Sequence, residues 1–270
     1  MGKIKTGRNL PIAILVGLIL ISLVVFTLFI NKYAFTFLAL AAVLLAGYEV
    51  TSQLNDVKKI NLSIFLNLSL ISIFIIFSVL FEELGFFYAL ILSLIFIIVY
   101  SYSQNKFKQT LQFSISTVLY LGIFGGLAML MLNHSDGAER IFIFIALTAL
   151  SDTGGYFSGI LFGKHKLAPK ISPKKSYEGL FGSIILSALA SILITPLFLD
   201  LNIFESIILG LVLPLTGTAG DLFESYVKRN LNIKDFSSLL PGHGGMADRI
   251  DSLAFNSLFS YLIFGIFLGF

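Results

Sequence analysis

The chain has 270 residues, 57% of them hydrophobic and only 12% charged; a soluble domain carries about twice that charge. Cysteine and tryptophan are absent, which excludes disulfides, thiolate metal sites and cysteine nucleophiles and leaves Tyr and Phe as interfacial anchors. The formal net charge is +3 and the pI about 9.0, a basicity that the placement of the charges explains without a nucleic-acid partner.

In chain order the predicted elements are apolar spans, each crossing needing about 20 apolar helical residues. Nine are expected, at 10–30, 33–50, 60–80, 86–102, 111–132, 141–162, 179–199, 203–227 and 250–270. The first follows Lys3, Lys5 and Arg8. It is too long for a signal-peptide core and lacks a small-residue cleavage site, so a retained span is expected. No linker divides the chain and no internal repeat is visible. The expected fold is therefore an all-α polytopic membrane protein forming a single membrane domain.

A cytosolic N-terminus puts the loops after even-numbered spans on the same side. That side then holds sixteen of the eighteen basic residues, leaving only Lys32 and Arg140 opposite. Glu82, Glu83, Asp136, Glu139, Asp200 and Glu205 also fall opposite. This asymmetry is the positive-inside pattern, and it supports both the number of spans and their parity.

Two of the basic loops carry more than orientation. Between the sixth and seventh spans lie Lys164, Lys166, Lys170, Lys174 and Lys175 with His165. Lysine ammonium groups bind phosphate as point charges, and an anionic lipid surface would attract them equally well. Ser172-Pro173 is expected to start a turn presenting Lys174 and Lys175 to one site. Asp152 falls inside the sixth span, where a carboxylate needs a partner, a metal or a proton. In the eighth span, Pro214 followed by Gly217 and Gly220 predicts an interrupted helix of the kind that lines a polar cavity. Asp221, Glu224, Ser225 and Lys228 follow at offsets that share one helical face. Asp221 and Lys228 are then roughly 10 Å apart along the axis.

Asp248 and Asp251, three apart at the start of the ninth span, repeat that geometry. Carboxylates from two helices suit Mg²⁺, which takes a few carboxylates plus water and substrate phosphates. The competing arrangement is a set of ion pairs, Glu224 with Lys228 and Arg249 with Asp248 or Asp251. Between the two helices, Gly242, Gly244 and Gly245 surround His243, a composition that exposes backbone N–H groups and permits close approach to phosphate oxygens. His243 could bond a phosphate or act as an acid. With no second histidine at ligand spacing, zinc is not expected.

The stretch from Ser225 to Asp251, SYVKRNLNIKDFSSLLPGHGGMADRID, resembles the signature of the phosphatidate cytidylyltransferase (CDP-diacylglycerol synthase) family. Gly220 to Glu224, Asp152-Thr153-Gly154, Phe162 to His165 and Ile171 to Lys175 resemble it too, so the likeness covers roughly the last 120 residues. The resemblance implies a nucleotidyltransferase of phospholipid synthesis. CTP and phosphatidate would give CDP-diacylglycerol and pyrophosphate, with Mg²⁺ required, at the cytosolic face of the inner (plasma) membrane. It implies residues 1–109 as a framework of helices and 110–270 as the catalytic region. It assigns Asp221, Asp248 and Asp251 to the metal, with Asp152 beside them. Lys228, Arg229, His243, Gly244 and Gly245 go to phosphates, with Ser225 and Arg249 alongside, and Lys174 and Lys175 to CTP or the lipid headgroup. Expected partners are CTP, phosphatidate and membrane lipids, with no nucleic acid; a homodimer is compatible but not fixed. Competing readings are a CTP-dependent enzyme on another lipid (an ether-lipid cytidylyltransferase or polyprenol kinase) and a secondary transporter, supported by the interrupted span and the buried carboxylates.

Overall fold

The computed structural model describes residues 10–240 and 244–269. Eight helices follow one another: α1 (Leu10–Ile30), α2 (Lys32–Lys58), α3 (Ile64–Tyr102), α4 (Phe107–Leu132), α5 (Gly137–Phe162), α6 (Tyr177–Phe198), α7 (Ile203–Asn230) and α8 (Ala247–Leu268). Among the described residues, α2 to α8 are the seven long and apolar enough to cross a membrane. Polar residues start several of them. Asn31, Ser63, Ser176 and Asn202 each accept a backbone N–H of the first turn, and Asn202 forms a capping box with Glu205, satisfying donors that a helix start leaves open.

The expected spans at 60–80 and 86–102 are two arms of α3. At Glu82 the backbone adopts φ 54° and ψ −138°, and the chain doubles back. The Tyr100 hydroxyl donates to the Asn61 carbonyl at 2.9 Å, and Asn61 reaches Gln104 at 3.3 Å. The end of α3 therefore lies beside its beginning. Phe74 and Phe86 pack edge to face between the arms, with ring centres 5.6 Å apart.

The loops sort into two ends as the charge pattern requires. At one end Lys106 donates to Lys59 O at 2.6 Å, Lys58 to Asn230 O at 3.5 Å and Arg229 to Ile171 O at 3.2 Å. Those bonds join the loops after α2, α3, α5 and α7. At the other end Asn133 donates to Ser78 O, and Arg140 binds Asp136 and Gly269 O. Lys3, Lys5 and Arg8 lie outside the described residues. Between the ends, Phe74, Ile75, Leu121, Met131, Ile141, Leu147, Leu209 and Phe264 are buried. Phe37, Phe65, Leu193, Leu197 and Ile266 point outward and exposed, as helices apolar all round do when lipid surrounds them.

The bundle is all helical as expected, with one short hairpin added in a loop: β1 (Lys166–Ala168) and β2 (Ser172–Ser176) pair antiparallel after α5. One expectation is corrected: α7 is not interrupted. It runs through Pro214 without a break, and Thr216 Oγ1 donates to the Val212 and Leu213 carbonyls one turn back. The glycines there serve close packing. A Cβ on Gly210 would meet Ala188 Cα of α6 at 2.7 Å, and one on Gly220 would meet the Asp251 carbonyl of α8 at 2.5 Å. Gly220 thus brings Asp221 against the start of α8.

Candidate active site

The buried charge sits at the basic end, where α5, α7, α8 and the β-hairpin meet. Lys228 is its hub. Its ammonium contacts Glu224 Oε1 at 2.8 Å and Asp248 Oδ1 at 2.7 Å, and all three residues are buried. Glu224 and Lys228 meet because they are one turn apart on α7. Asp248 arrives from the first turn of α8, which begins three residues earlier than the sequence suggested. Its other oxygen accepts the N–H groups of Phe236 at 3.1 Å and Gly245 at 2.8 Å. Both Asp248 oxygens are therefore engaged in holding the α7–α8 loop onto Lys228.

A second layer lies beside it. Asp221 pairs with Lys175 of β2 at 2.8 Å and accepts from Ser225 Oγ at 3.1 Å. Asp251 accepts the N–H of Ser252 at 2.7 Å and makes no ion pair among the described residues. It lies within electrostatic reach of Asp221, Asp152 and Arg249, and Asp152 within reach of Lys175, Asp221 and Arg249. Five acids (Asp152, Asp221, Glu224, Asp248, Asp251) thus share the cluster with three basic side chains (Lys175, Lys228, Arg249), so acids outnumber bases by two.

Several sequence expectations change. Among the described residues no three acids or histidines are placed to hold a metal ion by themselves, so Asp221, Asp248 and Asp251 are not a preformed three-ligand set. Asp248 turns instead toward Lys228 and the loop backbone. Lys174 and Lys175 do not face one site, because alternate residues of a strand point to opposite faces. Lys175 reaches Asp221, while Lys174 is exposed. Two donors of Arg229 bond the Ile171 and Ile233 carbonyls, fastening the two basic loops together. The N–H of Gly244, at φ 85°, goes to Leu240 O, and that of Gly245 to Asp248, so both glycine donors are taken inside the loop. His243 lies outside the described residues.

Glu49 of α2 escaped the sequence reading. It is buried, and its carboxylate accepts from Ser237 Oγ at 2.6 Å, Met246 N at 3.1 Å and Ala247 N at 2.9 Å. It caps α8, where a negative charge is favoured by the helix dipole. Gln53, one turn on, donates to Phe236 O at 3.0 Å. Glu49→Ala leaves three donors without an acceptor and is expected to destabilise the fold by about 2 kcal/mol, measurable by thermal unfolding in detergent. An unchanged transition would remove Glu49 from this role.

Against known proteins, the model of the Cytidylyltransferase family matches residues 11–267. The chain is 33% identical over 266 residues to a phosphatidate cytidylyltransferase of Mycobacterium leprae (strain TN), covering 92% of this chain and 85% of that one. It is 42% identical over 156 residues to one of Staphylococcus epidermidis (strain ATCC 12228 / FDA PCI 1200), covering 57% of this chain and 59% of that one. It is 34% identical over 161 residues to one of Mycobacterium bovis (strain ATCC BAA-935 / AF2122/97), covering 60% and 53%. The matched stretches of the last two span little more than half of those relatives. The family match runs from α1 into α8, through the basic hairpin and the Lys228 cluster alike, and the chain belongs to the cytidylyltransferase family.

Proposed function

We propose that this chain transfers the cytidylyl group of CTP to phosphatidate, giving CDP-diacylglycerol and pyrophosphate, at the cytosolic face of the inner membrane. The carrying observation is the charged cluster at the basic end of the bundle, in a chain whose relatives are named phosphatidate cytidylyltransferase. With the two arms of α3 counted separately, the reading has nine crossings and a cytosolic N-terminus, the basic end facing the cytosol. The secondary-transporter reading had two supports, an interrupted span and buried carboxylates; it loses the first, since α7 is continuous, and keeps the second, though those carboxylates gather at the basic end and not at the midplane.

The acids suit a divalent cation. Asp221 and Asp251 stand on adjacent helices with Asp152 within electrostatic reach, and acids so crowded are favoured as carboxylates by added positive charge. Lys175 already supplies some of it as a tethered cation on Asp221. Magnesium needs only one or two protein carboxylates when substrate phosphates and water complete its shell, so Asp221 and Asp251, with Asp152 beside them, would hold it. Bound there, Mg²⁺ would neutralise phosphate charge and ease departure of pyrophosphate.

The protein's own residues supply the rest. A phosphate monoester is largely dianionic at neutral pH, so a phosphatidate oxygen attacks the α-phosphorus of CTP without a strong base. The new P–O bond forms as the bond to the β-phosphate oxygen breaks, and the electron pair leaves on pyrophosphate. Alignment and charge neutralisation carry the catalysis. Lys175 exchanges its bond with Asp221 for a substrate phosphate, while exposed Arg249 holds phosphates at the rim. Lys228 stays paired and fixes the loop.

The test is turnover of labelled CTP by the purified protein with diacyl phosphatidate, an ether-linked phosphatidate or a polyprenol, with Mg²⁺ or a chelator. CDP-diacylglycerol and pyrophosphate in equal amounts, formed only with the divalent ion and fastest on the diacyl lipid, are expected. Phosphorylated polyprenol, or no CTP consumption, would contradict the reading.

A further inference from the structure

An apolar cavity of about 160 Å³ lies inside the bundle, lined by residues of α1, α2, α3, α4, α5 and α8. Its wall includes Leu38, Ala42, Phe124, Ala128, Phe144 and Leu253; apart from Tyr120 and Ser257, every lining residue is apolar. It starts beside the charged cluster, for the lining residues Ile250 and Leu253 flank Asp251 on α8. From there it follows α4 from Tyr120 to Met129, a rise of roughly 13 Å. The cavity is thus elongated along the bundle, the direction in which acyl chains lie. A dry apolar cavity of roughly 150 Å³ accepts benzene, so this one has room for the first several carbons of a chain.

Tyr120 stands at the junction of the two regions. Its ring packs with Phe124, Phe223 and Phe255, at centre distances of 5.4, 5.7 and 6.5 Å. Its hydroxyl is buried without a hydrogen-bond partner among the described residues, within electrostatic reach of Glu224, Asp251 and Asp221. Buried Ser and Thr hydroxyls, Ser114 and Ser187 among them, also lack a partner among the described residues, but a short hydroxyl can turn back onto a carbonyl of its own helix; a phenolic hydroxyl at the end of a rigid ring cannot. A buried hydroxyl left unpaired is unfavourable, and here it sits where hydrocarbon meets charge.

We propose that this cavity seats the proximal part of one acyl chain of the lipid substrate, and that the Tyr120 hydroxyl donates to the ester carbonyl joining that chain to glycerol. The inference rests on the phosphatidate reading and adds to it a binding site and a residue that selects an ester-linked lipid. The phosphate then lies over Asp221 and Asp251 while the chain descends between α2, α4 and α8.

Two variants test it, each assayed for KM toward CTP and toward synthetic phosphatidates. Tyr120→Phe is expected to raise KM for the diacyl lipid about fivefold, with KM for CTP unchanged. The same variant should match the wild type on a dialkyl ether phosphatidate, which has no carbonyl to bond. Ala42→Leu combined with Ala128→Leu narrows the cavity and is expected to raise KM for long-chain phosphatidate about tenfold, with a far smaller change for a dibutanoyl lipid. Equal effects of Tyr120→Phe on ester and ether substrates would overturn the hydroxyl's role. Equal effects of the narrowed cavity on long and short chains, or none on either, would overturn the acyl site. A wild-type protein that turns over no phosphatidate would instead overturn the reaction itself, a separate outcome.

Discussion

Asp251→Asn is expected to lower kcat for CDP-diacylglycerol formation by about a thousandfold, the scale on which a preorganised electrostatic group acts in a transition state. The amide has the carboxylate's shape, and its carbonyl still accepts the Ser252 N–H, the bond that Oδ1 makes now. Among the described residues no ion pair is broken, so the unfolding temperature should stay within a few degrees of the wild type. What disappears is the negative charge facing Asp221 and Asp152. Steady-state assays at saturating CTP and Mg²⁺, run beside thermal unfolding, separate the two effects. Near-normal turnover would exclude Asp251 from the reaction centre.

Removing the Lys228 ammonium has the other large effect, and it falls on stability. In Lys228→Met, Glu224 and Asp248 lose their shared cation while remaining buried. Uncompensated buried charge of this kind costs about 3–5 kcal/mol. Adding Glu224→Gln to Lys228→Met removes one of the stranded charges and should recover part of the loss, read as a rise in unfolding temperature over the single variant. Asp248→Asn belongs to the same group. It puts an amide N–H₂ where Lys228 and two backbone N–H groups already donate, so loop order and turnover should fall together. A Lys228→Met protein as stable as the wild type would show that the ammonium is not the counter-ion of the cluster.

The sequence makes the frame of this molecule legible because lipid permits little else. Long apolar runs become helices, and the basic loops gather at one end. The stripe Asp221–Glu224–Ser225–Lys228 is readable because helical offsets of three, four and seven share a face. Pairings across the chain are not readable in that way. Glu49 looks like any acid near a helix end until α8 folds onto it, 198 residues later for its bond with Ala247. Lys174 and Lys175 look equivalent until β pairing sends them to opposite faces. Pro214 looks like a break because the proline rule concerns one helix alone. Its neighbours α6 and α8 pack closely on it, at Gly210 and Gly220, and α7 continues through the proline as one helix. Asp248 looks like a metal ligand by composition; its partners are decided by where the α7–α8 loop returns.

The site draws on the whole bundle, and the family match likewise runs from residue 11 to 267. Glu49 and Gln53 of α2 hold the loop from below. The hairpin after α5 delivers Lys175 from the basic end of the bundle. The proposed reacting groups come from α7 and α8, and the approach of those helices depends on Gly220 admitting the Asp251 carbonyl.

The central claim is that acids from neighbouring helices hold a divalent cation at the basic end, and binding of Mn²⁺ in place of Mg²⁺ tests it most directly. Electron paramagnetic resonance of the purified protein with CTP present should detect immobilised Mn²⁺ in the wild type. Asp221→Asn and Asp251→Asn should each weaken that binding at least tenfold, while Asp136→Asn, at the opposite end, should not. Immobilised Mn²⁺ of undiminished affinity in both site variants would contradict the account.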